Sequence, residues 1–167
     1  MPAYVLGLGT NLGDRAANLA RGIAMLVEAG AAVRAVSSLY ETPPWGVEDQ
    51  PAFLNAVAVI EVARQPREVL RLVKQIESAV GRVRGERWGP RVLDIDILYA
   101  DGQVVDEPDL QVPHVRIPER AFVLVPLAEV APDLVDPRAR ASVREMLLAR
   151  DDAGSVVPVA GQDWASA

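Results

Sequence analysis

The chain has 167 residues, of which 50% are hydrophobic and 24% charged, so it is long and apolar enough to bury the core of one globular domain. Its net charge of −6 disfavours a general nucleic-acid binder, and the absence of cysteine excludes a disulfide framework, a thiolate zinc site and a catalytic thiol. The N-terminal apolar run has no basic segment and ends at Thr10, so we expect neither secretion nor membrane insertion and predict a cytoplasmic protein.

The first half of the chain predicts alternating strands and helices. Short apolar runs bounded by turn residues are typical of strands, and two longer stretches carry apolar residues at helical spacing. In chain order we predict a strand over 4–8, a helix closed by Gly30, strands over 33–40 and 54–62, and a helix over 66–81. The loop 41–51 is too long for a tight hairpin, and such loops often carry binding groups.

The second half is less regular. In order, we predict a strand around Asp94 and Asp96, a hairpin turn at Asp101-Gly102, a partly helical stretch over 119–130, a capping box from Ser142 to Glu145, and a weakly ordered tail over 151–167. The order strand, helix, strand, strand, helix, strand predicts a ferredoxin-like βαββαβ core, which is an α+β fold with a mostly antiparallel sheet and helices packed on it. We expect C-terminal additions to this core and a single domain over 1–167.

The segment around Asp94 and Asp96 carries the strongest chemical signal. In a strand, side chains at i and i+2 point to the same face, so the two carboxylates are presented together while Ile95 and Ile97 are buried. Two like charges held this close need a cation, and Mg²⁺ is the usual ion for paired carboxylates near arginines. An amphipathic strand with one solvated face is the structural alternative. The nearby Arg91 favours a metal-assisted phosphoryl-transfer site.

The glycine-rich segment 7–13 lies between a strand and a helix, as a dinucleotide-binding fingerprint does. It has Leu12 where that fingerprint needs glycine, and the order of elements is wrong for a doubly wound parallel sheet. We interpret it as a structural turn, with Asn11 or Asp14 capping the helix. The chain also lacks a P-loop, so any nucleotide would have to be bound by something other than a P-loop.

A basic stretch precedes the acidic strand. It contains Arg82, Arg84, Arg87 and Arg91. Runs of charge are often solvated loops, but Trp88 interrupts this one and is placed to cover a base or a phosphate cleft when the loop closes. His114 is the only histidine, and a lone histidine is more often structural than catalytic.

Several motifs together resemble one family. They are Gly9-Thr10-Asn11-Leu12-Gly13, Ser38-Leu39-Tyr40-Glu41-Thr42-Pro43-Pro44, Arg87-Trp88-Gly89-Pro90-Arg91-Val92-Leu93-Asp94-Ile95-Asp96-Ile97, Val112-Pro113-His114 and Arg120-Ala121-Phe122-Val123-Leu124-Val125-Pro126-Leu127. In this order and over most of the chain, they are similar to the 6-hydroxymethyl-7,8-dihydropterin pyrophosphokinases of folate biosynthesis. The resemblance implies transfer of pyrophosphate from ATP to the pterin hydroxymethyl group, which gives the pterin diphosphate and AMP.

The resemblance also implies roles for individual residues. Asp94 and Asp96 would hold two Mg²⁺ ions, and Arg82 and Arg91 would act beside them in catalysis. The residues implied to bind the nucleotide are Arg82, Arg84, Trp88, Arg91, Ile97, His114 and Arg120. The pterin ring would lie between Phe53 and Phe122, with Asn55 on its pyrimidine edge and Thr42, Pro43 and Trp45 completing the pocket.

Two other functional hypotheses are also consistent with these sequence features. A ferredoxin-like domain that only binds a small molecule would not need both aspartates. Another Mg²⁺-dependent phosphoryl or nucleotidyl transferase would use an Asp-x-Asp strand, but a sugar or alcohol substrate would not need a flat aromatic slot. In either case we expect small-molecule ligands, no nucleic acid, no membrane and a monomer.

Overall fold

The structure, a computed structural model, describes residues 1–43, 51–81 and 92–166. The core elements are β1 (Ala3–Thr10), α1 (Arg15–Glu28), β2 (Ala32–Val36), β3 (Leu39–Thr42), β4 (Phe53–Glu61), α2 (Pro66–Gly81) and β5 (Asp94–Ala100). The later elements are β6 (Val105–Glu107), β7 (Leu110–Val112), α3 (Ala121–Val130), β8 (Val135–Asp136), β9 (Ala141–Ser142), α4 (Val143–Leu148) and β10 (Val157–Ala160). Short 3₁₀ helices lie at Ile117–Glu119, Ala153–Ser155 and Gln162–Ser166.

One antiparallel sheet organises the molecule. Its strand order is β10-β3-β4-β1-β5, and β2 pairs with β4 beside β3. The predicted α+β fold with a ferredoxin-like core is confirmed, since the chain order β1, α1, β2 with β3, β4, α2, β5 gives the βαββαβ pattern. Among the described residues no helix is long and apolar enough to span a membrane.

The strand predicted over 33–40 is two strands, because Ser37 interrupts it. The buried Ser37 side chain accepts a hydrogen bond from Val57 N at 2.9 Å and donates one to Ser38 O at 2.8 Å. The Ser37 hydroxyl thus accepts a hydrogen bond that a backbone carbonyl group would accept in a regular ladder to β4. The pairing register with β4 changes at this position.

Each face of the sheet has its own apolar cluster. On one face Leu6, Leu8, Ile95 and Ile97 pack with buried residues of α1 and α2. On the other face Val5, Val57 and Leu98 pack with Val123 and Leu127 of α3. The alternation predicted for β5 is therefore present: its isoleucines are buried against the helices, and Asp94 and Asp96 belong to the face that α3 partly covers.

The structure contains the helix caps predicted for α1 and for α4. Asp14 accepts a hydrogen bond from Ala17 N at 3.2 Å at the start of α1. Ser142 and Glu145 form the reciprocal capping box of α4, with both hydrogen bonds at 3.1 Å. The Asp101-Gly102 turn is present as well, but it closes only a single bridge between Ala100 and Gln103, and β6 pairs with β7 instead of with β5.

The structure contradicts the weakly ordered tail predicted over 151–167. The strand β10 extends the sheet by pairing with β3, and Trp164 is only 6% exposed. The Trp164 indole donates a hydrogen bond from Nε1 to Ser37 O at 2.8 Å, and the last 3₁₀ helix packs against α1. Burial of the Trp164 ring with a satisfied N–H, together with burial of Val156, helps to compensate for ordering a segment in which most other described side chains are exposed.

Candidate active site

Two glycines of β1 form the floor of a cavity on the α3 side of the sheet. Gly9 pairs with Asn55 of β4 on one side and with Asp94 of β5 on the other, and Gly7 pairs in the same way with Val57 and Asp96. A Cβ atom at Gly9 would lie 3.0 Å from Asn55 Oδ1, a contact so tight that the amide would have to move by a few tenths of an ångström. The sheet surface is therefore open between the amide and the carboxylate.

The cavity above this floor has a volume of about 580 Å³. Four of the residues predicted for the pterin pocket line it, namely Thr42, Phe53, Asn55 and Phe122. Phe53 is the first residue of β4 and Phe122 lies in the first turn of α3, so the two rings come from different layers of the fold. Asp94, Asp96 and Arg120 line the same cavity. Aromatic, amide and acidic side chains thus line a single cavity, and its volume is typical of small-molecule binding sites.

The amide end of the cavity is fixed by hydrogen bonds. Asn55 donates from Nδ2 to Thr42 Oγ1 at 3.0 Å, and both side chains are buried. Pro43 is exposed directly beyond β3. Arg15, at the start of α1, donates to Glu41 Oε2 at 2.9 Å and to Ala52 O at 2.8 Å. It therefore joins the two chain ends that flank residues 44–50.

The two aspartates of β5 lie on the cavity face, about 7 Å apart along the strand. Asp94 is half-buried and Asp96 is exposed. Arg120 Nη1 lies 3.9 Å from Asp96 Oδ2, and the Arg120 guanidinium lies 5.6 Å from the centre of the Phe122 ring. Arg120 therefore lies between the acidic and the aromatic parts of the cavity, where it balances one of the carboxylate charges.

Within residues 1–43, 51–81 and 92–166, no group of three or more acidic or histidine side chains forms a closed metal site. The paired carboxylates of Asp94 and Asp96 still suit Mg²⁺, which commonly takes only one or two protein carboxylates. Water and substrate phosphates complete the coordination of the ion. The donor set present therefore fits an ion that is bound together with a phosphorylated ligand.

A second cavity of about 310 Å³ lies beside β5. Asp96 lines both cavities, so this residue of β5 is common to the two spaces. The predicted nucleotide residues Ile97 and His114 line the second cavity, as does Lys74 of α2. Its far wall is the hairpin of β6 and β7, through residues 108–111. Arg120, predicted to bind the nucleotide, lines the first cavity instead.

His114 is held by its backbone and its ring. Its amide donates to Leu98 O at 3.1 Å, and its Nδ1 accepts from Arg116 N at 3.2 Å. Burial lowers the pKa of His114, the Asp96 carboxylate opposes that shift, and Arg120 and Arg116 add to it. The neutral ring, with Nδ1 accepting, carries its proton on Nε2 and can donate from there.

Sequence reasoning missed several residues that line the two cavities, namely Gly7, Gly9, Lys74, Arg116, Glu119 and Arg150. The glycines had a usable signal, because paired glycines inside a strand pattern indicate close approach of a ligand or another backbone. Arg150 had none, since it lies where the composition predicted the start of a tail. Five predicted site residues lie outside the described residues: Trp45, Arg82, Arg84, Trp88 and Arg91.

Comparison with known families agrees with these features. The family model of 7,8-dihydro-6-hydroxymethylpterin-pyrophosphokinase (HPPK) matches residues 5–132. The chain belongs to this family. All of the sequence motifs that resemble this family lie within residues 5–132, so the predicted resemblance is confirmed.

Relatives similar to this chain carry the HPPK name in full, 2-amino-4-hydroxy-6-hydroxymethyldihydropteridine pyrophosphokinase. The protein of Methylorubrum extorquens is 50% identical over 155 residues, which is 92% of this chain and 97% of the relative. The Bacillus subtilis protein is 47% identical over 129 residues, which is 77% of each chain. The Synechocystis protein is 40% identical over 157 residues, or 93% of this chain and 80% of the relative.

Solved structures similar to this chain are crystal structures of HPPK-DHPS. The wild-type Plasmodium falciparum protein with STZ-DHP has a TM-score of 0.72 at 16% identity and matches 88% of this chain. The same protein with pteroate has a TM-score of 0.69 at 17% identity. This chain spans 43% and 42% of the two structures, less than half of either, and at these identities the match shows the HPPK fold.

Proposed function

We propose that this pyrophosphokinase transfers a pyrophosphoryl group from ATP, with Mg²⁺, to the hydroxymethyl oxygen of 6-hydroxymethyl-7,8-dihydropterin in folate biosynthesis. Family membership supports the reaction class and the pterin acceptor. The observation that carries the assignment of sites is that two cavities share Asp96, one aromatic and one flanked by His114 and Lys74. A group transfer needs donor and acceptor on either side of the reacting atom, and this arrangement supplies both sides.

The first cavity takes the pterin. Phe53 and Phe122 stack on the flat ring, because offset stacking suits planar heteroaromatics. Asn55 hydrogen-bonds the pyrimidine edge, since an amide both donates and accepts. Thr42 fixes the orientation of that amide, and Pro43 and Trp45 complete the pocket. The hydroxymethyl group then points along the floor of the cavity toward Asp94 and Asp96.

The acidic end of that cavity holds the metal. Asp94 and Asp96 bind two Mg²⁺ ions, which when bound neutralise charge on the triphosphate and align it for in-line displacement. Arg82 and Arg91 act with these aspartates on the phosphates. Arg120, which lies between Asp96 and the Phe122 ring, would contact the transferred group with its guanidinium.

The second cavity takes the nucleotide. Ile97 packs against the base or ribose, and the neutral His114 donates from Nε2 to a phosphate oxygen. Arg84 and Trp88, which lie outside the described residues, are the further side chains proposed to bind the nucleotide. The acceptor oxygen attacks the β-phosphorus, so the bond to the α-phosphate breaks and AMP leaves. We expect a monomer that acts in the cytoplasm.

Phosphorus NMR of the protein with Mg²⁺, ATP and the pterin tests this proposal. AMP together with a pterin diphosphate is the expected result. ADP with a pterin monophosphate would mean γ-phosphoryl transfer and would overturn the mechanism. Tight pterin binding without turnover would favour a ligand-binding module over an enzyme.

A further inference from the structure

We propose that Arg138 is a positioning residue for the nucleotide-side cavity, because its guanidinium holds the backbone of the β6–β7 hairpin and of the segment that leads into His114. This inference rests on the proposed function, in which the second cavity takes the nucleotide. Arg138 lies in the turn between β8 and β9, outside both cavities as the structure describes them.

The side chain of Arg138 collects acceptors from two neighbouring segments. Its Nε donates to Pro113 O at 3.0 Å. Its Nη2 faces Val105 O at 3.2 Å, Val112 O at 3.4 Å and the Asp106 carboxylate. A terminal guanidinium nitrogen carries two N–H groups, so these three acceptors share two donors. Only the fork of an arginine reaches all of these positions at once.

Those carbonyl groups lie where the hairpin meets the His114 segment. Val105 and Val112 pair directly across β6 and β7, and Pro113 is the residue before His114. Residues 108–111, at the other end of the hairpin, form the wall of the nucleotide-side cavity. Arg67 of α2 holds that other end through Glu107 and Asp109. The hairpin is therefore held at both ends, by Arg138 at its base and by Arg67 beside its turn.

The turn that carries Arg138 is itself fixed to β5. The buried carboxylate of Asp136 accepts from the backbone N–H of Arg138 at 2.8 Å and from that of Ala139 at 3.0 Å. Its other oxygen accepts from Tyr99 O–H at 2.8 Å, and Tyr99 belongs to the same strand as Asp96. Hydrogen bonds thus connect β5, through Asp136 and Arg138, to the carbonyl groups of the residues just before His114. We infer that it sets the distance between His114 and Asp96.

The test compares Arg138→Gln with Arg138→Lys and with the control Arg144→Gln. Arg144 pairs with Asp133 on the surface, where both side chains are well exposed, so its loss removes a similar charge without touching the hairpin. Binding of Mg²⁺ with α,β-methylene-ATP and binding of the pterin are measured separately by calorimetry. Because His114 is the only histidine, its ring protons also give a unique NMR signal in the protein without ligand.

Arg138→Gln is expected to raise the Kd of the ATP analogue by about tenfold and the Kd of the pterin by less than about twofold, because only the nucleotide-side wall loses its support. In the same variant the His114 ring signal moves, and hydrogen exchange speeds up in residues 105–116. Arg138→Lys recovers part of the affinity, and Arg144→Gln behaves as wild type.

Unchanged His114 signals with unchanged nucleotide affinity in a folded Arg138→Gln protein would overturn the inference. Equal weakening of both ligands would do so too, because it would indicate general destabilisation. Failure of the proposed function has a different signature: the wild-type protein would not bind the ATP analogue, or would bind it without perturbing His114. The ring signal and the exchange rates of the ligand-free variants would still test the positioning role.

Discussion

Asn55 donates a hydrogen bond to Thr42 across adjacent strands, with 3.0 Å between Nδ2 and Oγ1, and neither side chain is more than 7% exposed. The bond leaves the second N–H and the carbonyl oxygen of the amide as the groups available to a ligand. Burial of an amide is unfavourable unless its polar groups are hydrogen-bonded. We therefore expect a ligand in the cavity to hydrogen-bond to the second N–H and the carbonyl oxygen of Asn55.

Asn55→Ala is expected to raise the Kd of the pterin by at least about tenfold, since a ligand loses about 1–3 kcal/mol when a buried hydrogen-bonding partner is removed. The Kd of the ATP analogue is expected to change by less than about twofold. Separate calorimetric titrations give both constants. Thr42→Val is the matched comparison: it removes only the hydroxyl that orients the amide, so its effect is smaller. Equal loss of both ligands in Asn55→Ala would argue against this pocket.

Gly9→Ala tests the floor of the cavity. The added methyl group would lie 3.0 Å from Asn55 Oδ1, so the amide must shift or the methyl must intrude on the ligand. We expect weaker pterin binding, with unfolding in urea little changed, because Gly9 is not in the left-handed region and glycine itself weakens the interior of a strand. Gly154→Ala is the control, since no heavy atom of residues 1–43, 51–81 and 92–166 lies within 4 Å of the corresponding Cβ position. Wild-type pterin affinity in Gly9→Ala would show that the ring does not lie over β1.

Asp94→Asn and Asp96→Asn keep the shape of each side chain but remove its charge. We expect kcat to fall by at least about 100-fold, because metal ions supply several kcal/mol of transition-state stabilisation. Pterin affinity is retained, since the stacking groups are intact. Asp133→Asn is the matched control, because the Asp133 side chain is 86% exposed and pairs only with Arg144 on the surface. Steady-state rates over a Mg²⁺ series measure the effect, and near-wild-type turnover in both aspartate variants would exclude this metal site.

Trp164→Ala tests whether the C-terminal segment contributes to stability. Loss of a buried tryptophan is expected to lower the free energy of unfolding by about 3 kcal/mol. Trp164→Phe keeps most of the apolar contact and loses only the hydrogen bond to Ser37, at a cost of about 1 kcal/mol. Urea unfolding at equilibrium gives both values. A change of less than about 0.5 kcal/mol in Trp164→Ala would restore the prediction of a weakly ordered tail.

Glu129 of α3 is expected to stabilise the folded protein by an amount that depends on pH. Burial alone would raise its pKa, but hydrogen bonds from Tyr40 O–H, Ser38 and Gln162 outweigh burial and lower the pKa below the ordinary value of 4.5. A carboxyl group with a lowered pKa in the folded state stabilises the protein fully above its unfolded pKa. That stabilisation is lost as the pH falls through the folded value.

Glu129→Gln should therefore cost about 1 kcal/mol at about pH 7, a modest value because the carboxylate is largely exposed. The gap between wild type and variant should narrow progressively as the pH falls below 4.5, because wild-type Glu129 then becomes protonated and loses its advantage over the amide. Urea unfolding of both proteins over a series of pH values from neutral downward provides the measurement. A gap that stays constant with pH would mean that the charge of Glu129 is not what stabilises the contact between α3 and β3.

Features that depend on local periodicity could be predicted from the amino-acid sequence alone. The alternation of Asp94, Ile95, Asp96 and Ile97 was enough to predict one polar and one buried face of β5, because strand side chains alternate wherever the strand lies. Helical spacing predicted α1 and α2, and capping residues predicted where α4 begins. The family motifs then related these elements to a known chemistry, which the family model confirmed.

Contacts between residues that are far apart in the chain could be seen only in the folded protein. Phe53 and Phe122 line one cavity because α3 packs on the sheet face that carries β4, and Gly9 becomes a floor only between Asn55 and Asp94. Trp164 is buried at Ser37 because that strand break offers an unused carbonyl group next to α1. Such contacts depend on which surfaces remain uncovered after the core has packed, and no local pattern of residues records that outcome.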